Sequence, residues 1–291
     1  MSTPLSALEP QAVWKNFEAL NAVPRPSKKE ARVIAFMEQF GRSLGLQTDT
    51  DACGNVCIRK PASPGMEGRP TVVLQAHLDM VHQKNADTDF DFDSQGIDMY
   101  VDGDWVKARG TTLGADNGIG VASAMAILAS DDIAHPPIEA LFTIDEETGM
   151  TGAMHLAGGV LRGKIMLNLD TEDDDEITIG CAGGVDVNIS GRYAQADVKP
   201  GSVAFTLSVK GLSGGHSGMD IHLGRANANK LLNRILMEAD NEFGLGIADI
   251  QSGGLRNAIP REGFATVTVN ADDAPGFEAF VQQLAAILRT E

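Results

Sequence analysis

Residues 71–78 form an almost unbroken apolar run, Thr71-Val72-Val73-Leu74-Gln75-Ala76-His77-Leu78. That is the pattern of a strand covered on both faces. Residues 55–60, 138–144 and 165–169 read as further strands. Helical spacing marks residues 9–22 and 28–44, the second with Val33, Ile34, Met37 and Phe40 on one face and Ser27 as N-cap three residues before Glu30. Residues 117–130, carrying Ile119, Val121, Ala122, Met125 and Leu128, predict a buried helix, and residues 151–156 a short one. Residues 85–104 are polar, rich in Asp and without period, and are expected to be a long surface loop or flap. Strand and helix alternation predicts an α/β domain, a mostly parallel open sheet flanked by helices with right-handed crossovers.

The pattern changes after about residue 186. Residues 203–209 and 264–270 alternate like half-solvated strands, residues 211–224 are a glycine-rich connection, and residues 226–239 and 275–289 are amphipathic helices. A strand, helix, strand, strand, helix order predicts a second, smaller α+β domain, ferredoxin-like in plan. The expected division is therefore residues 1–186 and residues 187–291.

With 291 residues, 43% hydrophobic positions and 32 glycines, the chain has the core and the tight connections of a globular α/β protein. A formal net charge of −17 argues against nucleic acid and anionic membrane surfaces as partners. Three cysteines, Cys53, Cys57 and Cys181, are too few for a disulfide scaffold and suit a reducing compartment. Cys57 lies in a strand-like run, so packing explains it better than metal binding. No export signal or membrane-length apolar window is visible, and a soluble cytoplasmic protein is expected.

Four acidic motifs close hydrophobic runs: Gln75-Ala76-His77-Leu78-Asp79, Leu113-Gly114-Ala115-Asp116-Asn117, Asp145-Glu146-Glu147-Thr148-Gly149 and Asn168-Leu169-Asp170. A lone Asp at a strand end is usually a cap or a turn residue. Glu146-Glu147 alone is an ordinary solvated pair, and His77 alone an ordinary core histidine. Four such motifs at the carboxyl ends of one sheet, where open α/β sheets place their sites, bring one imidazole and several carboxylates together. That is the ligand set of a hydrolytic zinc, cobalt or manganese centre. By contrast, the run from Asp170 to Glu176, with six acids in seven positions, is expected to be mostly solvated beyond Asp170. His82 reads as a nearby loop residue, His135 as structural or exposed, and His155 as part of a short helix.

These motifs, with Gly214-Gly215-His216-Ser217-Gly218, resemble the di-zinc metallopeptidases related to carboxypeptidase G and aminoacylase. The similarity runs through essentially the whole chain, including residues 107–120, 211–230 and 255–262. It implies a zinc-peptidase-like catalytic domain, a lid formed by the second domain, and two divalent ions per full-length subunit, zinc first, with cobalt or manganese as alternatives. His77, Asp116, Glu147 and Asp170 are implied as metal ligands, with Asp116 bridging. Asp79 is implied to hold the second ring nitrogen of His77, and Glu146 to serve as general base. A cis peptide bond is implied at Asp116–Asn117. From the lid, His216 is implied to stabilise the oxyanion, and Arg225, Asn227, Asn257 and Arg261 to hold a substrate carboxylate.

The implied activity is hydrolysis of small unblocked dipeptides, X-His and β-alanyl-His types included, with no nucleic acid or membrane partner and a homodimer as the candidate assembly. A related exopeptidase, an N-acyl-amino-acid amidohydrolase and an inactive module that keeps the fold are the alternatives. Family members continue past residue 291 to a further histidine ligand, and no histidine follows His222 here. The resemblance therefore implies an N-terminal fragment with an incomplete second metal site, weak or absent activity, and an uncovered sheet edge or apolar face.

Overall fold

A computed structural model describes residues 5–171, 175–180, 183, 185 and 187–291. They fall into two compact units, Met1–Ile179 and Gly180–Glu291. The first unit contains helices α1 (Gln11–Asn21) and α2 (Ala31–Ser43), then strands β1 (Gln47–Thr50), β2 (Val56–Lys60) and β3 (Val72–His77). A hairpin of β4 (Met99–Asp102) and β5 (Trp105–Ala108) follows, then α3 (Ala115–Ala129), β6 (Ile138–Thr143), the short helices α4 (Glu146–Gly149) and α5 (Thr151–Met154), and β7 (Ile165–Asn168). The second unit holds β8 (Ser202–Val209), α6 (Ala228–Phe243), β9 (Gly246–Ser252), β10 (Gly263–Asn270) and α7 (Ala274–Leu288).

The main sheet has the order β1-β2-β6-β3-β7. β3 pairs in parallel with β6 and with β7, while β1, β2 and β6 are joined antiparallel. β3 and β6 are the most apolar strands, and they take the centre. Leu74, Ala76, Ala140 and Phe142 pack with Val33 and Met37 of α2 and Val121, Met125 and Leu128 of α3 in one buried core. Burying these side chains, at about 1.5–3 kcal/mol for each large one, fixes the register of β3. The side chain of the last β3 residue, His77, is therefore committed to one position at the strand end. β7 lies at the sheet edge, and its Ile165, Met166 and Leu167 are each about half exposed.

In the second unit β8-β10-β9 form an antiparallel sheet. Alternate residues of β10, Ala265, Val267 and Val269, pack with Leu232 and Leu236 of α6 and Phe277 of α7. The expected strand and helix order of this unit is the one observed.

Three segments are not placed by the apolar pattern. β1 is a polar edge strand, Gln47-Thr48-Asp49-Thr50, with no apolar period to announce it. β9 is held by its backbone pairing to β10, and nearly all of its side chains face outward. Part of the expected loop at 85–104 belongs to the β4–β5 hairpin, whose Gly103-Asp104 turn is a legible two-residue signal. Cys57 is buried in β2, where burial pushes its thiol up to about 11, in keeping with a packing role. Cys181 and residues Glu172–Asp174 of the acidic run lie outside the described residues. Among the described residues no helix is long and apolar enough to cross a membrane.

Glu139 of β6 fixes the route into β7. Its carboxylate accepts from the backbone N–H of Arg162 (2.7 Å) and Gly163 (2.9 Å) and pairs with Arg59 Nε at 3.1 Å. Arg59 also donates to Val160 O at 2.9 Å and pairs with Asp49. Burial raises the Glu139 pKa, but these donors outweigh it and hold the carboxyl below its ordinary 4.5. A depressed folded-state pKa gives stability that is complete above the unfolded value and is lost as pH falls through the folded one. Replacing Glu139 with Gln should lower stability at neutral pH by about 2 kcal/mol. It should also leave a shallower loss of stability below pH 4.5. Urea unfolding followed across pH checks both, and unchanged curves would remove Glu139 from this role.

Candidate metal centre

The parallel strands β3 and β6 and the segments after them deliver the four acidic motifs to one place. His77 ends β3 fully buried. Its Nε2 lies 3.0 Å from Asp116 Oδ1, 3.8 Å from Asp170 Oδ1 and 4.0 Å from Glu146 Oε2. Its Nδ1 faces Asp79, 3.3 Å from Oδ1 and 3.1 Å from the backbone oxygen. Two sets of donor atoms converge on this ring, His77 with Asp116 and Asp170, and His77 with Glu146 and Glu147, each within 4.8 Å of one another. Of the expected residues, Asp116 and Asp170 share one set with His77 and Glu147 the other, and Asp79 lies behind the His77 ring.

Each side chain has a local reason for its position. Asp116 and Asn117 depart from helical geometry at the start of α3, and the bond between them is cis. Asn117 then links three segments. Its Oδ1 accepts from His77 N at 3.3 Å, and its Nδ2 donates to Leu169 O at 2.9 Å and to Asp170 Oδ1 at 3.1 Å. Asp145 has a left-handed φ of 50°, uncommon outside glycine, which turns the chain sharply between β6 and α4. That turn aims the N–H groups of Glu146 and Glu147 at Asp79, at 3.0 and 3.2 Å. Ser27 Oγ donates to the same carboxylate at 2.8 Å.

Ser27 corrects an expectation. It does not cap the second helix, which starts at Ala31, because its hydroxyl is committed to Asp79 and Met80 O. Glu30 accepts instead from Lys28 N and Asp145 N. A second buried acidic group, Glu30, Asp79 and Asp145, thus consists of carboxylates already engaged with backbone and hydroxyl donors.

Electrostatics mark the cluster as short of positive charge. Burial, with the charges of Asp116 and Glu146, pushes Glu147 up to about 8. Burial and the same two neighbours push Asp170 up to about 6. Burial disfavours the His77 cation, yet hydrogen bonds to Asp116 and Asp79 prevail and raise it to about 10. Burial also works against the Asp79 carboxylate, but His77, the Glu146 N–H and Ser27 hold it below its ordinary range. Carboxylates that compete for one imidazolium offer oxygen and nitrogen donors for which a divalent cation is the natural partner. The residues fit such an ion.

In the second unit His216 sits in the glycine-rich connection, its Nδ1 accepting from Gly218 N and Met219 N. Arg225 donates to Gly214 O and pairs with Asp220 at 3.0 Å, Arg261 donates to Leu212 O, and Asn257 O accepts from Ser217 N. These four therefore meet around one loop. Asn227 is used differently, since its side-chain oxygen caps α6 at Asn229 N and Lys230 N. His82, His135 and His155 belong to neither donor set. His82 packs edge-on against Phe92, His135 is buried with its ring at Pro136 O, and His155 contacts Thr151 O.

An α/β sheet that gathers a buried imidazole and several carboxylates at its strand ends has the layout of a metal-dependent hydrolase. The profile described as peptidase family M20/M25/M40 matches residues 73–289, and the chain belongs to that family. It is 48% identical over 287 residues to the cytosol non-specific dipeptidase of Escherichia coli (strain K12), a match covering 99% of this chain and 59% of that protein. The crystal structure of aminoacylhistidine dipeptidase from Vibrio alginolyticus is similar at a TM-score of 0.62 and 46% identity, covering 99% of this chain and 59% of that one. The uncharacterized protein YqjE of Bacillus subtilis (strain 168) is 28% identical over 217 residues, 68% of this chain and 55% of its own length. The chain thus spans somewhat more than half the length of these relatives.

Asn117 offers a test of how the cluster is held. Replacing it with Ala removes the link between His77 and Asp170 without removing a charge. Zinc affinity measured by calorimetry should fall about 10–100-fold, the usual cost of losing a group that orients a ligand. Wild-type affinity in a folded Asn117→Ala protein would mean that Asp170 is positioned by other contacts.

Proposed function

We propose that the protein is a metal-dependent dipeptidase that cleaves the amide of small unblocked dipeptides, X-His and β-alanyl-His among them. The observation that carries this reading is the convergence of Asp116, Asp170, Glu146 and Glu147 on the buried His77 ring. Two divalent ions are assigned to it, zinc first, with cobalt and manganese as alternatives. His77, Asp116 and Asp170 would hold one ion, and Asp116 and Glu147 belong to the second. When bound, such ions polarise the scissile carbonyl and lower the pKa of water.

The chain's own residues supply the remaining steps. Asp79 holds Nδ1 of His77, which leaves Nε2 as the ligating nitrogen and fixes the plane of the ring. Glu146 is the base: its carboxylate takes a proton from the attacking water and returns it to the leaving amine nitrogen. The two glutamates take separate roles in this reading because adjacent side chains leave the backbone in different directions, while Asp79 holds the backbone N–H of both. In the second unit His216 is assigned to the carbonyl oxygen of the substrate, and Arg225, Asn257 and Arg261 to its carboxylate. The free amide N–H₂ of Asn227 is a further donor for that group. The similarity to two dipeptidases supports the choice of substrate class.

Glu146→Ala should leave metal content nearly intact while lowering turnover of β-alanyl-histidine and other dipeptides by at least about a hundredfold. Glu147→Ala should lose metal. Metal analysis beside a dipeptidase assay distinguishes the two, and ordinary turnover by Glu146→Ala would end the assignment of the base.

A further inference from the structure

The fully buried Arg25 sits at the carboxyl end of β3 and is bound only to neutral acceptors. It is 1% exposed and stands between Pro24 and Pro26, which restrict the backbone on either side. Every N–H of its guanidinium is engaged. Nε and Nη2 donate to Asn21 Oδ1 at 3.3 and 2.9 Å. Nη1 donates to Leu78 O at 3.0 Å and Asp79 O at 3.1 Å, and Nη2 to Gly114 O at 2.5 Å. One planar fork thus joins the residues that follow His77 to the residue two positions before Asp116. The same segment makes a second grip on β3's exit, where Pro26 bridges to Met80 and Ser27 reaches Asp79.

We propose that Arg25 is a positioning residue for the metal centre, a buried cationic clamp that sets the separation between His77 and Asp116. The inference rests on the metallohydrolase reading above. Two glycines make room for it. A Cβ on Gly114 would come within 2.5 Å of Arg25 Nη2, and one on Gly118 within 2.7 Å. Gly114 moreover takes a φ of 72°, which a side chain rarely adopts. Charge adds to geometry. The guanidinium lies close enough to Asp79, Asp116 and Glu147 to feel their charge, yet its donors go to carbonyls, so it leaves the carboxylate lone pairs for a metal. A lysine could carry the charge but not the fork, because its ammonium is a point donor that cannot span the two segments in one plane.

The test uses Arg25→Lys, Arg25→Met and Asn21→Leu in the protein carrying this chain. Each is followed by circular dichroism for folding, by Co2+ titration for affinity and by the visible Co2+ spectrum for ligand geometry. Folded Arg25 variants should bind Co2+ at least about tenfold more weakly, with a displaced visible spectrum. Turnover should fall while KM for a dipeptide stays within about twofold, as expected when alignment rather than substrate binding is lost. Folded Arg25 variants with the wild-type titration and spectrum would overturn the proposal.

If neither Arg25 variant folds, Asn21→Leu decides, since it keeps the guanidinium and removes the acceptor that aims it. Weakened Co2+ binding by that variant supports the clamp. Normal binding, or its own failure to fold, assigns Arg25 to fold stability and overturns the clamp. Absence of Co2+ binding by the unaltered protein is a separate result, which would sink the metallohydrolase reading itself.

Discussion

Repulsion between crowded carboxylates is the constraint around which the first unit is organised. Asp79, Asp116, Glu146, Glu147 and Asp170 surround one imidazole, and without a cation such a group would swing apart into solvent or take up protons. The chain holds it together with backbone, hydroxyl and amide donors beside the His77 ring. Asp79 gathers two backbone N–H groups, the Ser27 hydroxyl and the His77 ring, while Asn117 joins His77 to Asp170. Each neutral hydrogen bond contributes only about 0.5–1.5 kcal/mol, but here they act on groups already fixed by the sheet.

The sheet supplies that fixed frame. Leu74 and Ala76 of β3 and Ala140 and Phe142 of β6 are locked into a buried core, so a one-residue slip would move all of them out of it to the opposite face of the sheet. His77 inherits its placement from this packing. β6 passes its register on through the left-handed turn at Asp145, and Glu139 on the same strand guides the chain into β7 and hence toward Asp170. Stability and site geometry are therefore one property in this unit.

What could be read from the sequence follows the same division. The cluster residues were legible because charged groups closing apolar runs are an unusual pattern, and four such motifs share one topological position. β3, β6 and α3 were legible because complete burial leaves an apolar run. β1 and β9 were not, since backbone pairing defines them and their side chains face outward. The holding residues were hidden for another reason. Ser27 before a helical pattern is indistinguishable from an N-cap, Asn117 reads as a member of a helix start, and nothing in the local sequence around Arg25 marks it as buried. Their roles depend on partners some 40 to 90 positions away in the chain, as with His77 for Asn117 and Gly114 for Arg25. No local pattern records such distances.

The buried Arg25 and the partly buried Arg59 show how one residue type is put to opposite uses. Arg59 meets Glu139 directly, and that pair ties three strands and the approach to β7. Mutual neutralisation suits it, because its partners are all structural: the other Glu139 oxygen accepts from Arg162 N and Gly163 N. Arg25 lies beside carboxylates as well, yet its five N–H groups end on an amide oxygen and three backbone carbonyls. A direct pair with Asp79 or Asp116 would have quenched the charges that a metal requires and tied up their oxygens. Burial lowers the Arg25 pKa only to about 10, so it keeps its charge at neutral pH and still moderates the repulsion from a distance. A cation that attracts the ligands without bonding them is compatible with a second cation arriving among them. An ordinary ion pair is not, and this difference separates the architecture of the cluster from that of the core.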